Sequence, residues 1–170
     1  MAAKTLLVLR HAKSSWKDPE LVDHDRPLNK RGKREAPRMG RLLVQRKLRP
    51  ELIVSSTAKR ARRTADEVAG YCAYNGAVQL DRKLYLASPL AIIEVLRRVG
   101  GNAGRVLLVS HNPGLEELVT RLTGRAERLQ TAALVQISLP IQNWKDLRLS
   151  TEGRLINLWR PRELEDNNGA

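Results

Sequence analysis

Residues 5–11 read Thr-Leu-Leu-Val-Leu-Arg-His, a short apolar run that ends in an arginine and a histidine. An apolar run of this length between polar residues is typical of a buried strand. Other runs of the same kind follow, and one of them, residues 106–111, also ends in a histidine. Short strands are predicted at residues 5–10, 52–54, 78–80, 106–109, 132–139 and 155–159.

Segments with helical spacing of apolar residues separate most of these strands. Asn29 is placed to cap the first helix, in which Pro37 is expected to introduce a kink or strain. Ser88 is placed to cap a later helix that has Pro89 at its first position. Helices are predicted after Asn29, at residues 58–74, from Pro89 to Gly100 and at residues 114–123. Strands that alternate with helices predict a three-layer α/β/α sandwich with a mainly parallel central sheet.

A length of 170 residues indicates one domain, which we predict over residues 1–162, with a polar tail at residues 163–170 that is expected to fray. Cys72 is the only cysteine, so an intramolecular disulfide and a cysteine-rich zinc site are both ruled out. No stretch approaches the ~18 apolar residues of a membrane helix. We therefore expect a cytoplasmic protein with no role at a membrane.

The net charge of +13 is concentrated near the start of the chain. Residues 1–65 hold 18 Lys/Arg against 6 Asp/Glu, whereas the remaining residues hold 13 against 12. Such asymmetry indicates an anionic partner or substrate for the N-terminal part. The chain has no Phe and only three Tyr and three Trp, which form no ladder for base stacking, so no nucleic-acid partner is expected.

Two histidines stand directly after predicted strands. His11 follows the first strand and is preceded by Arg10, and His111 follows the fourth. Arg60 lies a few residues beyond the second strand. Because sites in open α/β sheets form at the carboxyl ends of the strands, we expect these four side chains to meet at one edge of the sheet.

Two imidazoles and two guanidiniums suit phosphoryl transfer. Guanidiniums match phosphate oxygens bidentately, and a neutral imidazole can attack phosphorus to form a phosphohistidine. The surrounding cations would stabilise the transition state, so no metal or other cofactor is expected. The alternative, a metal site with two histidine ligands, lacks a clear third ligand and would place a cation beside arginines. His24, in an Asp-rich loop, is expected to be solvated.

These residues also resemble the motifs of the histidine phosphatase (phosphoglycerate mutase-like) superfamily. Arg10-His11-Ala12 is similar to the Arg-His-Gly signature, with Ala in place of Gly, and Lys17 stands where many members have Asn. Further similarities, in the family's order, are Arg26-Pro27-Leu28-Asn29 with Gly32, Ser55-Ser56 with Arg60-Ala61 and Thr64, and Ser110-His111-Asn112-Pro113-Gly114. The matches span roughly residues 5–140. The short length and the motifs at residues 10–16 and 25–28 indicate the SixA-like branch, the phosphohistidine phosphatases.

The resemblance implies the histidine phosphatase fold and a role for each catalytic candidate. His11 would be the nucleophile that becomes phosphorylated. Arg10 and Arg60 would clamp the phosphoryl group. His111 would donate a hydrogen bond to that group and stabilise the transition state.

Three further residues are implied as substrate contacts. Arg26 matches a basic residue of the SixA-like branch and would add to the pocket. Ser14 and Asn112 are second contacts, although either could instead cap a helix or a turn.

One departure from the family bears on the substrate. Larger members carry a glutamate general acid in an insertion after the third strand, whereas residues 84–88 here are Leu-Tyr-Leu-Ala-Ser. An alkyl phosphate needs such an acid to protonate its leaving group, and a phosphohistidine needs it less. Asp18, Asp23 and Asp25 in the first loop could replace the acid, but we favour an ordinary loop role for them.

We therefore expect a metal-independent phosphatase that acts through phospho-His11, with phosphohistidine in proteins as the substrate. The alternatives are a phosphatase of small phosphate esters and a non-catalytic module that binds a phosphorylated partner. The sequence leaves the physiological substrate and the oligomeric state open.

Overall fold

The computed structural model describes residues 3–167, which form six β-strands and four α-helices joined by loops and short 3-10 turns. The strands are β1 (Lys4–Arg10), β2 (Leu52–Ser56), β3 (Gln79–Asp81), β4 (Arg105–Ser110), β5 (Leu134–Leu139) and β6 (Arg154–Trp159). The helices are α1 (Lys30–Gln45), α2 (Lys59–Tyr71), α3 (Pro89–Val99) and α4 (Gly114–Thr123).

The six strands form one mixed sheet in the order β3-β2-β4-β1-β5-β6. The first four strands are parallel, and β5 pairs antiparallel with β1 and with β6. The chain returns after α4 to the carboxyl end of β1, where the backbone N–H of Ala132 donates to the carbonyls of Arg10 and His11. Because β5 starts at that end, it runs back along β1 in the opposite direction.

Two apolar clusters cover the two faces of the sheet. Alternate residues of β1 point to opposite faces, so Leu6 and Val8 pack with α3 and α4, whereas Leu7 and Leu9 pack with α1 and α2. A strand buried on both faces is apolar at every position, which is the pattern seen at residues 6–9. The predicted three-layer α/β/α sandwich is confirmed.

The start of α1 supports the loop that follows β1. The Asn29 side chain accepts a hydrogen bond from the Gly32 backbone N–H at 2.9 Å, as the predicted cap requires. A Cβ atom on Gly32 would lie 2.2 Å from the carbonyl oxygen of Lys13, so only glycine allows this close approach. The helix runs on through Pro37 to Gln45.

Helix α2 ends earlier than its predicted end at residue 74. Ala73 has a left-handed φ of 56°, and the Tyr74 N–H donates to the carbonyl of Ala69. The Ala73 N–H donates to Gly70, so the two bonds form a Schellman cap without the usual glycine.

Part of the predicted polar tail lies in a short helix at the end of the described chain. Pro161–Asn167 form a 3-10 helix, and Leu164 packs against the α1 and α2 side of the core. Residues 168–170 lie outside the described residues. Within the part of the chain that the structure describes, no helix is both long and apolar enough to cross a membrane.

Candidate active site

The sheet register places the two predicted histidines side by side. β1 and β4 are parallel neighbours, and Arg10 pairs with Ser110. The next residue on each strand is therefore a histidine, and the ring centroids of His11 and His111 are 5.1 Å apart. The expected meeting of the two imidazoles at one edge of the sheet is what the structure shows.

His11 is held so that one ring nitrogen is available as a nucleophile. Its Nδ1 lies 2.8 Å from the carbonyl oxygen of Ala12. Because a carbonyl can only accept, Nδ1 carries the proton and Nε2 keeps its lone pair. Burial lowers the pKa of His11 from 6.5 to about 3, aided by the charges of Arg60 and Arg10, although the Ala12 hydrogen bond raises it. The imidazole is therefore neutral at physiological pH.

The segment after His11 is tied to α2 through one side chain. The Thr64 hydroxyl accepts a hydrogen bond from the Ala12 N–H at 2.9 Å and donates to the carbonyl of Arg60 at 2.7 Å. Thr64 is fully buried. It thus links the backbone beside His11 to the backbone of Arg60.

His111 is buried against β2. Its Nε2 lies 2.8 Å from the Ser56 hydroxyl, and its Nδ1 is buried without a hydrogen-bond partner among residues 3–167. Burial and the neighbouring His11 and Arg60 lower the pKa of His111 to about 3. His111 is therefore also neutral at physiological pH.

Arg60 is oriented by an aspartate from the first loop. It is only 3% exposed, and its two terminal nitrogens donate to the Asp23 carbonyl at 2.7 Å and the Asp23 carboxylate at 2.9 Å. The Tyr85 hydroxyl also donates to that carboxylate. Burial raises the pKa of Asp23, but the hydrogen bonds from Tyr85 and Arg60 hold it well below its usual range.

Known proteins with similar sequences or folds agree on one family. Residues 6–85 match the sequence profile of the family described as "Histidine phosphatase superfamily (branch 1)". An uncharacterized protein of Mycobacterium leprae is 31% identical over 160 residues, which cover 92% of this chain and 93% of that protein. The chain belongs to the histidine phosphatase superfamily.

Other comparisons refine this placement within the histidine phosphatases. The solved structure of a candidate phosphohistidine phosphatase SixA from Agrobacterium tumefaciens superimposes on this structure with a TM-score of 0.79. The two sequences are 27% identical, and the superposition covers 93% of this chain and 98% of the SixA chain. The chain is SixA-like in this sense. An uncharacterized chloroplastic protein of Arabidopsis thaliana is 33% identical over 147 residues. The match covers 79% of this chain and just under two thirds (66%) of that protein. The cytoplasmic location stays a prediction.

Arg26 and Ser14, two predicted substrate contacts of this histidine phosphatase, contact each other. Arg26 donates from a terminal nitrogen to the Ser14 hydroxyl at 2.7 Å and from Nε to the Asp23 carboxylate at 3.1 Å. Its guanidinium also stacks 3.6 Å from the centre of the Trp16 ring. Both residues therefore order the first loop around Asp23, and the charge of Arg26 contributes to the lowered pKa of His11.

Arg10 and Asn112 meet at a single carbonyl group. A terminal nitrogen of Arg10 and the Asn112 amide both donate to the carbonyl of Leu129, at 3.1 and 2.8 Å. The Leu129 N–H in turn donates to the Glu116 carboxylate at 2.7 Å. Leu129 therefore fixes the position of Arg10 beside His11. The Nε atoms of Arg10 and Arg60 are buried without partners among the described residues.

The structure adds two residues that sequence reasoning left out of the site. The sequence predicts an ordinary loop role for Asp23, and it singles out no role for Tyr85, which lies in a segment without a carboxylate. The Tyr85 ring lies edge-on between His111, at 5.5 Å, and His24, at 4.9 Å. Neither contact leaves a signal in local spacing, because Asp23 is 37 residues from Arg60 and 62 residues from Tyr85.

His24, which is predicted to be solvated, is partly exposed and also contacts a neighbouring hydroxyl. Its Nε2 lies 2.8 Å from the Thr57 hydroxyl, and its side chain is 38% exposed. Asp25 lies 3.5 Å from the other ring nitrogen and is itself 63% exposed. Asp18 accepts a hydrogen bond from the Glu20 N–H, which is an ordinary loop role.

The arrangement does not favour a metal. Among the described residues, no group of three or more His, Cys, Asp or Glu side chains is placed to hold a metal ion. The cations next to His11 and His111 would repel one. What the arrangement offers instead is a neutral nucleophile beside guanidinium groups.

Proposed function

We propose that the protein is a phosphatase that transfers a phosphoryl group from phosphohistidine in proteins to His11, and then to water. The observation that carries the proposal is the state of His11. Its Nδ1 proton is held by Ala12, which leaves Nε2 with a free lone pair beside the charges of half-buried Arg10 and buried Arg60. A module that only binds phosphate needs cations but no such nucleophile.

In the first step, the Nε2 lone pair of His11 forms a bond to phosphorus as the bond from phosphorus to the substrate nitrogen breaks. The electron pair of the broken bond stays on the substrate, which leaves as neutral imidazole if its other ring nitrogen is already protonated. His11 becomes a phospho-imidazolium, whose positive ring is stabilised by the Ala12 carbonyl at Nδ1. The Nε–H groups of Arg10 and Arg60 are buried donors suited to the phosphoryl oxygens.

In the second step, water attacks the phosphorus and the bond to Nε2 breaks. The electron pair returns to Nε2, which restores neutral His11 with its proton still on Nδ1. Both protons of the water stay on the product, which leaves as dihydrogen phosphate. His111 can hydrogen-bond to the phosphoryl group through Nδ1, which has no partner among the described residues.

The leaving group is the reason to favour phosphohistidine over an alkyl phosphate. A poor alkoxide leaving group needs a protonated acid beside it. The carboxyl group nearest to Arg60 is Asp23, whose pKa lies well below its usual range, so it is ionised at neutral pH. The likeness to a candidate phosphohistidine phosphatase SixA supports the same substrate class.

The test is to trap the phosphoenzyme. The protein is mixed with phosphorus-labelled phosphoramidate, quenched within milliseconds and digested, and the labelled peptide is sequenced. We expect an acid-labile, base-stable label on His11. We expect His11→Gln to lose the label and at least 1000-fold in turnover, because a covalent nucleophile has been removed.

The control is His24→Gln, which removes a nearby histidine. The His24 ring contacts Tyr85, and Tyr85 lies between it and His111. The His24→Gln variant should keep the label on His11. Turnover of phosphoramidate without any label on His11 would contradict the covalent mechanism. Turnover of small phosphate esters but not of phosphohistidine peptides would favour the small-ester alternative. Binding without label or turnover would favour the binding module.

A further inference from the structure

A basic groove borders the candidate active site along the start of α2. One depression, of about 500 Å³, is lined by residues that include Leu21, His24, Lys59 and Arg63. A second, of about 360 Å³, shares Lys59 and Arg63 and extends to Lys33 on α1. We call the joined depressions the α2 groove. It adjoins the catalytic residues, because the His24 ring contacts Tyr85, whose ring contacts His111.

The groove has basic residues at the starts of two helices, where acidic residues are usually preferred. The first turns of α1 and α2 contain no acidic residue, although the positive end of a helix dipole favours carboxylates there. Helix α4 follows the usual preference, with Glu116 and Glu117 in its first turn and Arg121 in its last. Helix stability therefore does not explain why Lys59 and Arg62 begin α2.

The cations of the groove are also unpaired. Lys33, Lys59, Arg62 and Arg63 form no ion pair with any carboxylate among residues 3–167. The groove contains two carboxylates, Asp25 and Glu67, and Asp25 contacts His24 instead. Four unpaired cations on one surface favour an anionic partner.

We infer that the α2 groove docks an acidic segment of the phosphorylated protein whose phosphohistidine enters the His11 site. This inference rests on the proposed function and names the kind of substrate. The groove also offers apolar contacts, since its lining includes Pro27 and Leu21, and Leu21 is 38% exposed. Exposed aliphatic residues beside cations suit an acidic protein surface, whereas a single-stranded nucleic acid would need aromatic side chains for its bases.

Two synthetic peptides test the docking. Both carry one phosphohistidine, made with phosphoramidate; one has four Asp or Glu residues beside it and the other has Asn or Gln at the same positions. We expect kcat/KM for the acidic peptide to be at least tenfold higher at low salt. The preference should shrink as salt is added, because salt screens exposed charges.

The variant Lys59→Glu/Arg62→Glu replaces two of the groove cations at the start of α2 and leaves Arg60 unchanged. We expect it to lose the preference for the acidic peptide, and to keep or raise the Tm, because carboxylates suit the start of a helix. The matched control is Arg97→Glu/Lys145→Glu, which makes the same charge change in a depression lined by α3. The control should keep the tenfold preference.

A second measurement separates docking from the proposed chemistry. The unphosphorylated acidic peptide, labelled with a fluorophore, is titrated with each protein and its anisotropy is followed. Docking is supported if the peptide binds Lys59→Glu/Arg62→Glu at least tenfold more weakly than it binds the wild type. That result supports docking even if neither phosphopeptide is hydrolysed. A lack of hydrolysis would reject only the proposed function. Equal binding or equal kcat/KM for the two peptides would overturn the docking. Tighter binding of a single-stranded RNA of equal charge would assign the groove to nucleic acid.

Discussion

His11 and His111 are basic side chains that remain neutral well into acid. Their pKa values are lowered to about 3, chiefly by burial. Phosphoryl transfer to neutral His11 should therefore keep its rate, within about twofold, from pH 7 to pH 5. The measurement is the single-turnover rate of phosphoenzyme formation, corrected for titration of the donor. A loss of rate with a midpoint near the ordinary histidine value of about 6.5 would show that His11 is not protected in this way.

The same shifts predict how stability depends on pH. Between pH 6.5 and about 3, the unfolded chain binds protons at these histidines and the folded chain does not, so the free energy of unfolding decreases as the pH falls. Each buried histidine contributes a slope of about 1.4 kcal/mol per pH unit. His11→Gln should lower the slope by about that amount in urea unfolding at pH 6 and pH 4.5. An unchanged slope would contradict the assignment to His11.

At this scale, sequence reasoning found the residues whose positions depend on strand ends. Arg10 ends β1, His11 and His111 directly follow β1 and β4, and Arg60 comes within the first turn of α2. What the sequence did not show is how the first loop folds over them. Arg60 and Asp23 are in contact across 37 residues because the first loop folds over the start of α2, and such contacts depend on tertiary packing.

Among the elements, the start of α1 offers a matched pair of glycine substitutions. Gly32→Ala should destabilise the protein by about 2 kcal/mol or more, because its Cβ would lie 2.2 Å from the Lys13 carbonyl oxygen. Gly70→Ala in α2 should stabilise it by up to about 1 kcal/mol, because nothing lies within 4 Å of that Cβ. Urea unfolding of both variants is the measurement. Equal effects would show that the α1 start tolerates displacement of the loop after β1.

The elements themselves were largely predictable, and the errors lie at their ends. The apolar runs of β1 and β4 are buried on both faces, which makes them easy to recognise. The predicted extension of α2 to residue 74 was wrong because the chain reverses at Ala73, where an alanine adopts the conformation usually left to glycine. Strand β5 begins at Leu134 rather than residue 132, since Ala132 takes a positive φ of 63° to enter the sheet.

For the whole molecule, the charge pattern gives a prediction about metals. Residues 1–65 supply 18 of the 31 Lys/Arg residues, including both arginines whose charges act most on His11. A site of this charge stabilises phosphoryl oxygens without a divalent cation. Dialysis against EDTA should therefore leave the rate of phosphohistidine hydrolysis within about twofold of the untreated rate. Loss of activity that Mg²⁺ or Zn²⁺ restores would contradict it.

The α/β layering was predictable at this scale because strands and helices alternate along the chain. The reversal of β5 and β6 was not predicted, since it depends on where the loop after α4 returns. That loop brings Leu129 into contact with Arg10 and Asn112. Leu129 and Arg10 are 119 residues apart in the sequence. Contacts of this separation follow from the completed fold rather than from any local pattern.

The register between β1 and β4 limits how the length of this chain can vary. Their six paired positions run from Thr5 with Arg105 to Arg10 with Ser110. Deleting one residue inside either strand would shift its histidine by about 3.3 Å and turn its apolar side chains to the opposite faces. Residues 17–20, at the exposed tip of the loop between β1 and α1, carry no such constraint. Insertions and deletions tolerated during divergence should therefore accumulate at that tip, while both strands keep a constant number of residues up to their histidines.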